Sequence, residues 1–106
     1  MYTSDFEEIA SLDEFGSADR LEVFIEDTPV LLIRLNEQFF AIEDVCTHDG
    51  QPLTNGCIEE GVIICPRHGA RFDIKTGKAL CMPATKSIQT FEVEVRDRKI
   101  FARPVN

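Results

Sequence analysis

Two pairs of cysteine and histidine constrain this chain more than any other feature of its sequence. The first pair lies in Cys46-Thr47-His48 and the second in Cys65-Pro66-Arg67-His68, with sixteen residues between His48 and Cys65. Each pair offers a thiol and an imidazole from one tight loop, and both side chains are common ligands of transition metals. A metal centre that uses both pairs requires a fold in which the two loops meet.

The mixture of donors favours a two-iron, two-sulfide cluster. A [2Fe–2S] cluster with two thiolates on one iron and two neutral imidazoles on the other is less negative than a four-thiolate cluster, so it is easier to reduce. A Cys₂His₂ zinc site is the main alternative, although zinc fingers usually take both cysteines from one loop and both histidines from the other. Chance is disfavoured because the two histidines of the chain both fall in the motif. The candidate ligands are Cys46, His48, Cys65 and His68.

The composition indicates one acidic globular domain, which we assign to residues 1–106. Nineteen acidic against eleven basic side chains give a formal charge of −8. Such a surface repels nucleic acid and steers basic surfaces of protein partners, although many cytoplasmic proteins are acidic simply to stay dispersed. The apolar runs are too short to span a membrane, and the acidic N-terminus is unlike a targeting peptide. We therefore expect a cytoplasmic protein without membrane contact.

Short alternating segments on both sides of the motif predict an all-β fold. The Ser11-x-x-Glu14 pattern is typical of a capping box and predicts one helical turn after Ser11. Two-residue turns are expected at Asp27-Thr28, Asn36-Glu37 and Asp97-Arg98. Short strands joined in this way favour an antiparallel β-sandwich or small barrel. The strands are expected at residues 21–25, 29–35, 38–42, 91–95 and 99–102.

Residues 43 to about 83 differ from the rest of the chain because they are rich in Gly, Pro, Cys and His. They contain two brief strand candidates, at 61–65 and 71–74, and both halves of the ligand motif. A long irregular insertion in a small domain is usually functional. We expect a cluster-binding subdomain here, at one end of the β scaffold.

Several other side chains receive a structural interpretation. Cys57 and Cys81 are expected to be reduced thiols packed as small apolar groups, because the chain has no secretion signal and free cysteine behaves as a hydrophobe. Phe72 is expected to pack beside a cluster loop, with an ordinary core position as the alternative. The acidic residues near the motif are interpreted as a solvated surface, and they are Glu43, Asp44, Glu59 and Glu60.

The sequence resembles the Rieske family, and within it the small Rieske-type ferredoxins of bacterial ring-hydroxylating dioxygenase systems. This resemblance implies the Rieske fold, with one [2Fe–2S] cluster per chain. It implies that Cys46 and Cys65 bind the inner iron and that His48 and His68 bind the outer iron. The similarity covers nearly the whole chain and rests on residues 6–9, 46–48, 65–69, 71–77 and 81–84.

Four positions separate the chain from the quinol-oxidising Rieske proteins that it also resembles. Those proteins carry a disulfide between the two cluster loops, at the positions of Gln51 and Arg67 here. They also place a Ser and a Tyr hydroxyl against the cluster sulfurs, where this chain has Ala70 and Phe72. Hydrogen bonds to sulfur stabilise the reduced cluster, so their loss predicts a potential near the low end of the Rieske range.

The resemblance implies electron transport in aromatic hydrocarbon catabolism. A flavin-containing, NAD(P)H-dependent ferredoxin reductase would supply single electrons, and a terminal oxygenase component would receive them. The chain itself is not expected to be an enzyme, because both histidines serve the cluster and it has no nucleotide-binding fingerprint. We expect a monomer that docks through a rim around the two histidines. The expected rim residues are Asp49, Gln51, Pro52, Pro66, Arg67 and Pro83.

Two other functions use the same motif. A Rieske module could transfer electrons for another oxidoreductase, or it could sense redox state. The small subunit of nitrite reductase shares the fold, but its ligand-free relatives would not carry all four candidate ligands.

Overall fold

The larger of two sheets contains six antiparallel strands in the order β1-β10-β9-β4-β3-β2. The structure is a computed structural model, and it describes residues 5–47, 49–67, 69–82 and 86–105. The edge strands β1 and β2 lie against each other, so the sheet is nearly a closed barrel. The strands of this sheet are β1 (Glu7–Ser11), β2 (Arg20–Ile25), β3 (Thr28–Leu35), β4 (Gln38–Glu43), β9 (Thr90–Arg96) and β10 (Lys99–Pro104).

Strand β3 is buried on both faces, which explains its unbroken apolar sequence. Successive side chains of a strand point to opposite faces. Val30 and Leu32 pack in the barrel core with residues of β10, whereas Leu31 and Ile33 pack in a second core beneath the ligand loops. One strand therefore belongs to the scaffold and supports the site.

The three predicted hairpins are present, with one shift of register. Asn36-Glu37 and Asp97-Arg98 form two-residue turns in which all four residues have positive φ, as a type I′ turn requires. The first turn is formed by Glu26 and Asp27, with φ of 47° and 71°, and not by Asp27 and Thr28. Thr28 instead pairs with Ile25 as the first residue of β3.

The region between β4 and β9 is more regular than the sequence indicated. It contains a four-stranded antiparallel sheet in the order β5-β6-β7-β8. The sequence missed the two edge strands of this sheet, which are short and bury few side chains. The boundaries of a subdomain at about 43 to 83 stay a prediction, and the small sheet lies within them. Its strands are β5 (Cys57–Glu59), β6 (Val62–Ile64), β7 (Arg71–Asp73) and β8 (Ala79–Cys81).

The predicted helical turn is confirmed as a short 3-10 helix at Leu12–Glu14. The backbone N–H of Ser11 donates to the Glu14 carboxylate at 2.8 Å, as the capping-box pattern requires. Within the described part of the chain, no helix has the length and apolar character needed to cross a membrane.

Candidate metal centre

The two candidate ligand loops share one pattern of backbone hydrogen bonds. The N–H of Cys46 donates to the carbonyl of Gln51 at 2.7 Å. The N–H of Cys65 donates to the carbonyl of Ala70, also five residues later and also at 2.7 Å. Each cysteine therefore opens a loop that folds back onto it.

A glycine completes each loop in the same way. Gly50 donates its N–H to the carbonyl of Cys46 at 2.7 Å, and Gly69 donates to the carbonyl of Cys65 at 3.0 Å. Both glycines have a φ of +76°, which side-chain-bearing residues rarely adopt. The spacing Cys-x-His-x-Gly in one loop and Cys-x-x-His-Gly in the other thus produces two equivalent turns.

The fold brings the two cysteine thiols together. The Sγ atoms of Cys46 and Cys65 and a carboxylate oxygen of Asp49 all lie within 4.8 Å of one another. Both cysteines are buried, at 0% and 1% exposure. Two facing thiols, shielded from water, fit the thiolate half of the donor set of a [2Fe–2S] cluster. His48 and His68 lie outside the described residues.

The buried side chains beneath the two thiols, which we call the floor of the site, are apolar. Ala70 and Phe72 have 0% exposure and share one packed core with Cys46, Cys65 and the side chains of β3. Phe72 lies in the buried core that the two cysteines share, and its packing against a cluster loop stays a prediction. Neither Ala70 nor Phe72 carries a hydroxyl that could donate a hydrogen bond to sulfur.

An ion pair spans the two loops. The Arg67 guanidinium on the second loop contacts the Asp49 carboxylate on the first, with 2.7 Å between Nε and Oδ2. This hydrogen bond raises the pKa of Arg67 above its usual value. The sequence treated these residues as separate charges on a docking rim, whereas the structure pairs them with each other.

Asp44 is not a surface residue, contrary to the sequence interpretation. It is 5% exposed, and its carboxylate accepts a hydrogen bond from the backbone N–H of Leu53 at 2.7 Å. It also accepts a hydrogen bond from the hydroxyl of Thr54. Asp44 thus fixes the chain where it leaves the first ligand loop. Its position two residues before Cys46, after a buried strand, was the available sequence signal.

Arg20 was also missed by the sequence analysis. Its Nη1 atom donates to the carbonyls of Thr54 and Gly56 at 2.8 and 2.6 Å. These contacts join edge strand β2 of the barrel to the segment that leads from the first ligand loop into β5. No local pattern could reveal them, because they join residues 34 and 36 positions apart.

Cys57 and Cys81 are thiols without a disulfide, but they are not packed as apolar groups. Both are exposed, and no disulfide joins any of the four cysteines, which all lie among the described residues. Register aligns Cys57 with Ile64, Ile64 with Arg71, and Arg71 with Cys81. Three strand spacings separate the two thiols by about 14 Å, too far for a disulfide. Their positions on the two edge strands explain their exposure.

Most of the described residues of the expected docking rim are exposed, whereas the Asp49 side chain is largely covered, at 19% exposure. Gln51, Pro52 and Pro66 are exposed beside the two ligand loops, and Pro83 lies outside the described residues.

The hydroxyl of Thr47 donates to the carbonyl of Lys86 at 2.7 Å. This contact ties the first ligand loop to the chain that enters β9.

Comparisons with known proteins agree with this geometry. The ferredoxin component of the naphthalene 1,2-dioxygenase/salicylate 5-hydroxylase systems of a Ralstonia species is 32% identical over 101 residues, covering 95% of this chain and 97% of its own. The ferredoxin of carbazole 1,9a-dioxygenase from Nocardioides aromaticivorans is 26% identical with a TM-score of 0.85, covering 96% of this chain and 100% of its own.

A second similar structure is a complex. One chain in the complex of reduced oxygenase and oxidized ferredoxin of carbazole 1,9a-dioxygenase is 28% identical to this chain. The similarity covers 95% of this chain and 94% of that one, with a TM-score of 0.82. The family model for the Rieske [2Fe–2S] domain matches residues 6–92, which include both ligand loops and eight of the strands in full. The chain therefore belongs to the Rieske [2Fe–2S] domain family.

Proposed function

We propose that this protein is a one-electron carrier that serves a terminal aromatic-ring-hydroxylating oxygenase. The observation that carries the proposal is the pair of buried thiols on two equivalent loops, each of which also contains one of the two histidines in the chain. The Ralstonia relative is a ferredoxin component, and the carbazole dioxygenase complex joins a ferredoxin to its oxygenase. The protein is thus an electron-transfer component and not the enzyme that oxidises the aromatic substrate.

The proposed ligands are Cys46 and Cys65 for the inner iron and His48 and His68 for the outer iron. When bound, a Rieske cluster accepts and releases one electron at a time. The chain contributes two thiols that are already close together, and an apolar floor that keeps water away from them. The glycine turns would allow the backbone to approach a bound cluster closely.

The same floor supports a low reduction potential. Ala70 and Phe72 are buried beside the cysteines and offer no hydroxyl donor to sulfur. Without those hydrogen bonds the reduced state loses stabilisation, so we expect a midpoint near the lower Rieske limit of about −150 mV. A carrier at that potential can reduce an oxygen-activating enzyme but is a poor acceptor from quinol.

We place the exchange of electrons at the tip that carries both ligand loops. A flavin-containing, NAD(P)H-dependent ferredoxin reductase would load the carrier there. The reduced carrier would dissociate and dock on the oxygenase through the same face, which includes the exposed residues Gln51, Pro52 and Pro66. A monomeric state and a cytoplasmic location remain predictions of the sequence.

Spectroelectrochemical titration of the anaerobically purified protein tests the proposal. Iron and acid-labile sulfide are counted on the same sample. One reversible electron near −150 mV, with two iron and two sulfide per chain, is expected. A midpoint above about +100 mV would contradict the low-potential argument and indicate a different electron-transfer chain. A colourless, redox-silent protein that binds zinc would overturn the cluster assignment.

A further inference from the structure

Arg67 connects the loops that carry the two cysteines. Its Nε donates to Asp49 Oδ2 at 2.7 Å, and its Nη2 lies 3.3 Å from Asp49 Oδ1. The same Nη2 donates to the carbonyl of Pro52 at 3.1 Å. The backbone hydrogen bonds that start from Cys46 and Cys65 close within their own loops. The guanidinium, in contrast, reaches from the second loop to two points on the first.

The carboxylate of Asp49 is fixed in position for its contact with Arg67. Asp49 Oδ1 accepts a hydrogen bond from the backbone N–H of Gln51 at 3.0 Å, so its carboxylate is fixed to its own loop. The side chains of Asp49 and Arg67 are 19% and 32% exposed, so solvent screens this pair less than an open surface pair. A planar guanidinium that faces both oxygens of a carboxylate also adds geometric specificity to the ion pair.

We propose that Arg67 is a positioning residue whose planar fork holds the two ligand loops at the separation that the cluster requires. The inference rests on the ligand assignment of the proposed function. It adds that the shape of the Arg67 side chain matters in addition to its charge. We call the contact of Arg67 with Asp49 and Pro52 the clasp. The carboxylate of Asp49, which lies close to both thiols, is its main hydrogen-bond acceptor.

Arg67→Lys separates shape from charge. Lysine retains the positive charge near the cluster, but its single ammonium cannot face both Asp49 oxygens and the Pro52 carbonyl in one plane. We expect the bound cluster to be lost to an iron chelator about fivefold faster than in the wild type, the effect of one well-formed ion pair. The midpoint potential is expected to stay unchanged because the local charge is the same. Bleaching of visible absorbance measures the first quantity and spectroelectrochemistry the second.

Removing each charge in turn provides a second test. Arg67→Gln leaves Asp49 negative beside the cluster, which opposes reduction and lowers the midpoint potential. Asp49→Asn leaves Arg67 positive and raises it. Both variants break the clasp, so both are expected to lose the cluster faster. The combined variant should return the potential towards the wild-type value while cluster loss stays fast, which a purely electrostatic role would not produce.

Arg71→Lys is the matched control, since Arg71 is exposed on β7 beside the second loop and makes no contact like that of Arg67 within the described chain. It should retain the cluster as the wild type does. Failure of Arg67→Lys to assemble a cluster, while Arg71→Lys assembles it, would be the strongest form of the expected result. Equal rates of cluster loss in Arg67→Lys and the wild type would overturn the clasp. A wild-type protein without iron and sulfide would instead overturn the ligand assignment.

Discussion

At the scale of single residues, the site depends on a buried carboxylate as well as on its candidate ligands. Asp44 holds the backbone N–H of Leu53 and the hydroxyl of Thr54, and so fixes the exit of the first ligand loop. A buried donor that loses its acceptor keeps its full desolvation cost. Asp44 therefore contributes to the shape of the site although it donates nothing to a metal.

Asp44→Ala is expected to lower the free energy of unfolding by about 1–3 kcal/mol, because the Leu53 N–H is left buried without its acceptor. Asp44→Asn should cost less, since the amide oxygen can still accept that hydrogen bond. Denaturant unfolding of the iron-loaded protein measures both values. Glu59→Ala removes an exposed acidic side chain and is the control. An equal loss for Asp44→Ala and Glu59→Ala would show that the Asp44 contacts contribute nothing.

The sequence revealed the chemistry of the site better than its supports. The spacing of cysteines and histidines was enough to predict that Cys46 and Cys65 meet, because a single metal centre demands it. The contacts of Arg20 with Thr54 and Gly56 depend on how β2 lies against the segment that leads into β5, and no local pattern predicts this arrangement. The ion pair of Asp49 and Arg67 was hidden for the same reason, since its partners are 18 residues apart.

At the scale of elements, the barrel strands were predictable and the small sheet was only partly so. Long alternating segments reveal strands of six to eight residues such as β3 and β10. The strands of the small sheet have three residues each, so alternation cannot identify them. The two that were found flank the second ligand loop and contain the buried residues Ile63 and Phe72. The two that were missed are the exposed edge strands, which bury too little to leave a pattern.

Gly56 shows how closely the small sheet packs around the site. A Cβ atom at this position would lie 2.3 Å from the carbonyl oxygen of Ile64, which directly precedes Cys65. We expect Gly56→Ala to push β6 away and to lower the free energy of unfolding by about 1–3 kcal/mol, the usual cost of overpacking. Because Cys65 moves with β6, the cluster should also be lost faster to a chelator.

Gly61→Ala is the control for this prediction. Gly61 lies in the turn at the other end of β6, with a φ of +80° and open space around its Cβ position. Its substitution strains the backbone and costs stability, but it does not displace Cys65. Chelator-driven bleaching and denaturant unfolding, measured on both variants, separate the two effects. If the two variants lose the cluster at the same rate, the close approach of Gly56 to Ile64 does not position Cys65.

At the scale of the whole molecule, net charge and local charge differ. The chain carries a formal charge of −8. The tip nonetheless presents the exposed cations Arg71 and Lys86 beside the ligand loops, together with the mutually compensating pair of Asp49 and Arg67. The distance over which a partner senses these charges depends on salt. The molecule extends 40 × 32 × 19 Å, whereas the Debye length is about 30 Å at 0.01 M and about 10 Å at 0.1 M ionic strength.

Ionic strength should therefore reveal which charges steer the carrier to its oxygenase. At 0.01 M the whole acidic surface acts on an approaching basic face, and we expect the second-order rate constant for electron transfer to fall about tenfold by 0.1 M. Above 0.1 M the local charges of the tip dominate, and the rate should change little. Stopped-flow mixing of the reduced carrier with oxidised oxygenase over this range measures the dependence.

A variant that leaves the tip intact isolates the contribution of net charge. Glu59 pairs with Val62, at the end of β6 opposite to Cys65, and Asp97 lies in the turn between β9 and β10. Glu59→Gln combined with Asp97→Asn changes the formal charge from −8 to −6 and should flatten the low-salt slope without altering the rate at high salt. An unchanged slope would assign steering to the tip alone. A rate that rises with salt would mean that the acidic surface repels the oxygenase, and recognition would then depend on the short-range contacts of the exposed rim.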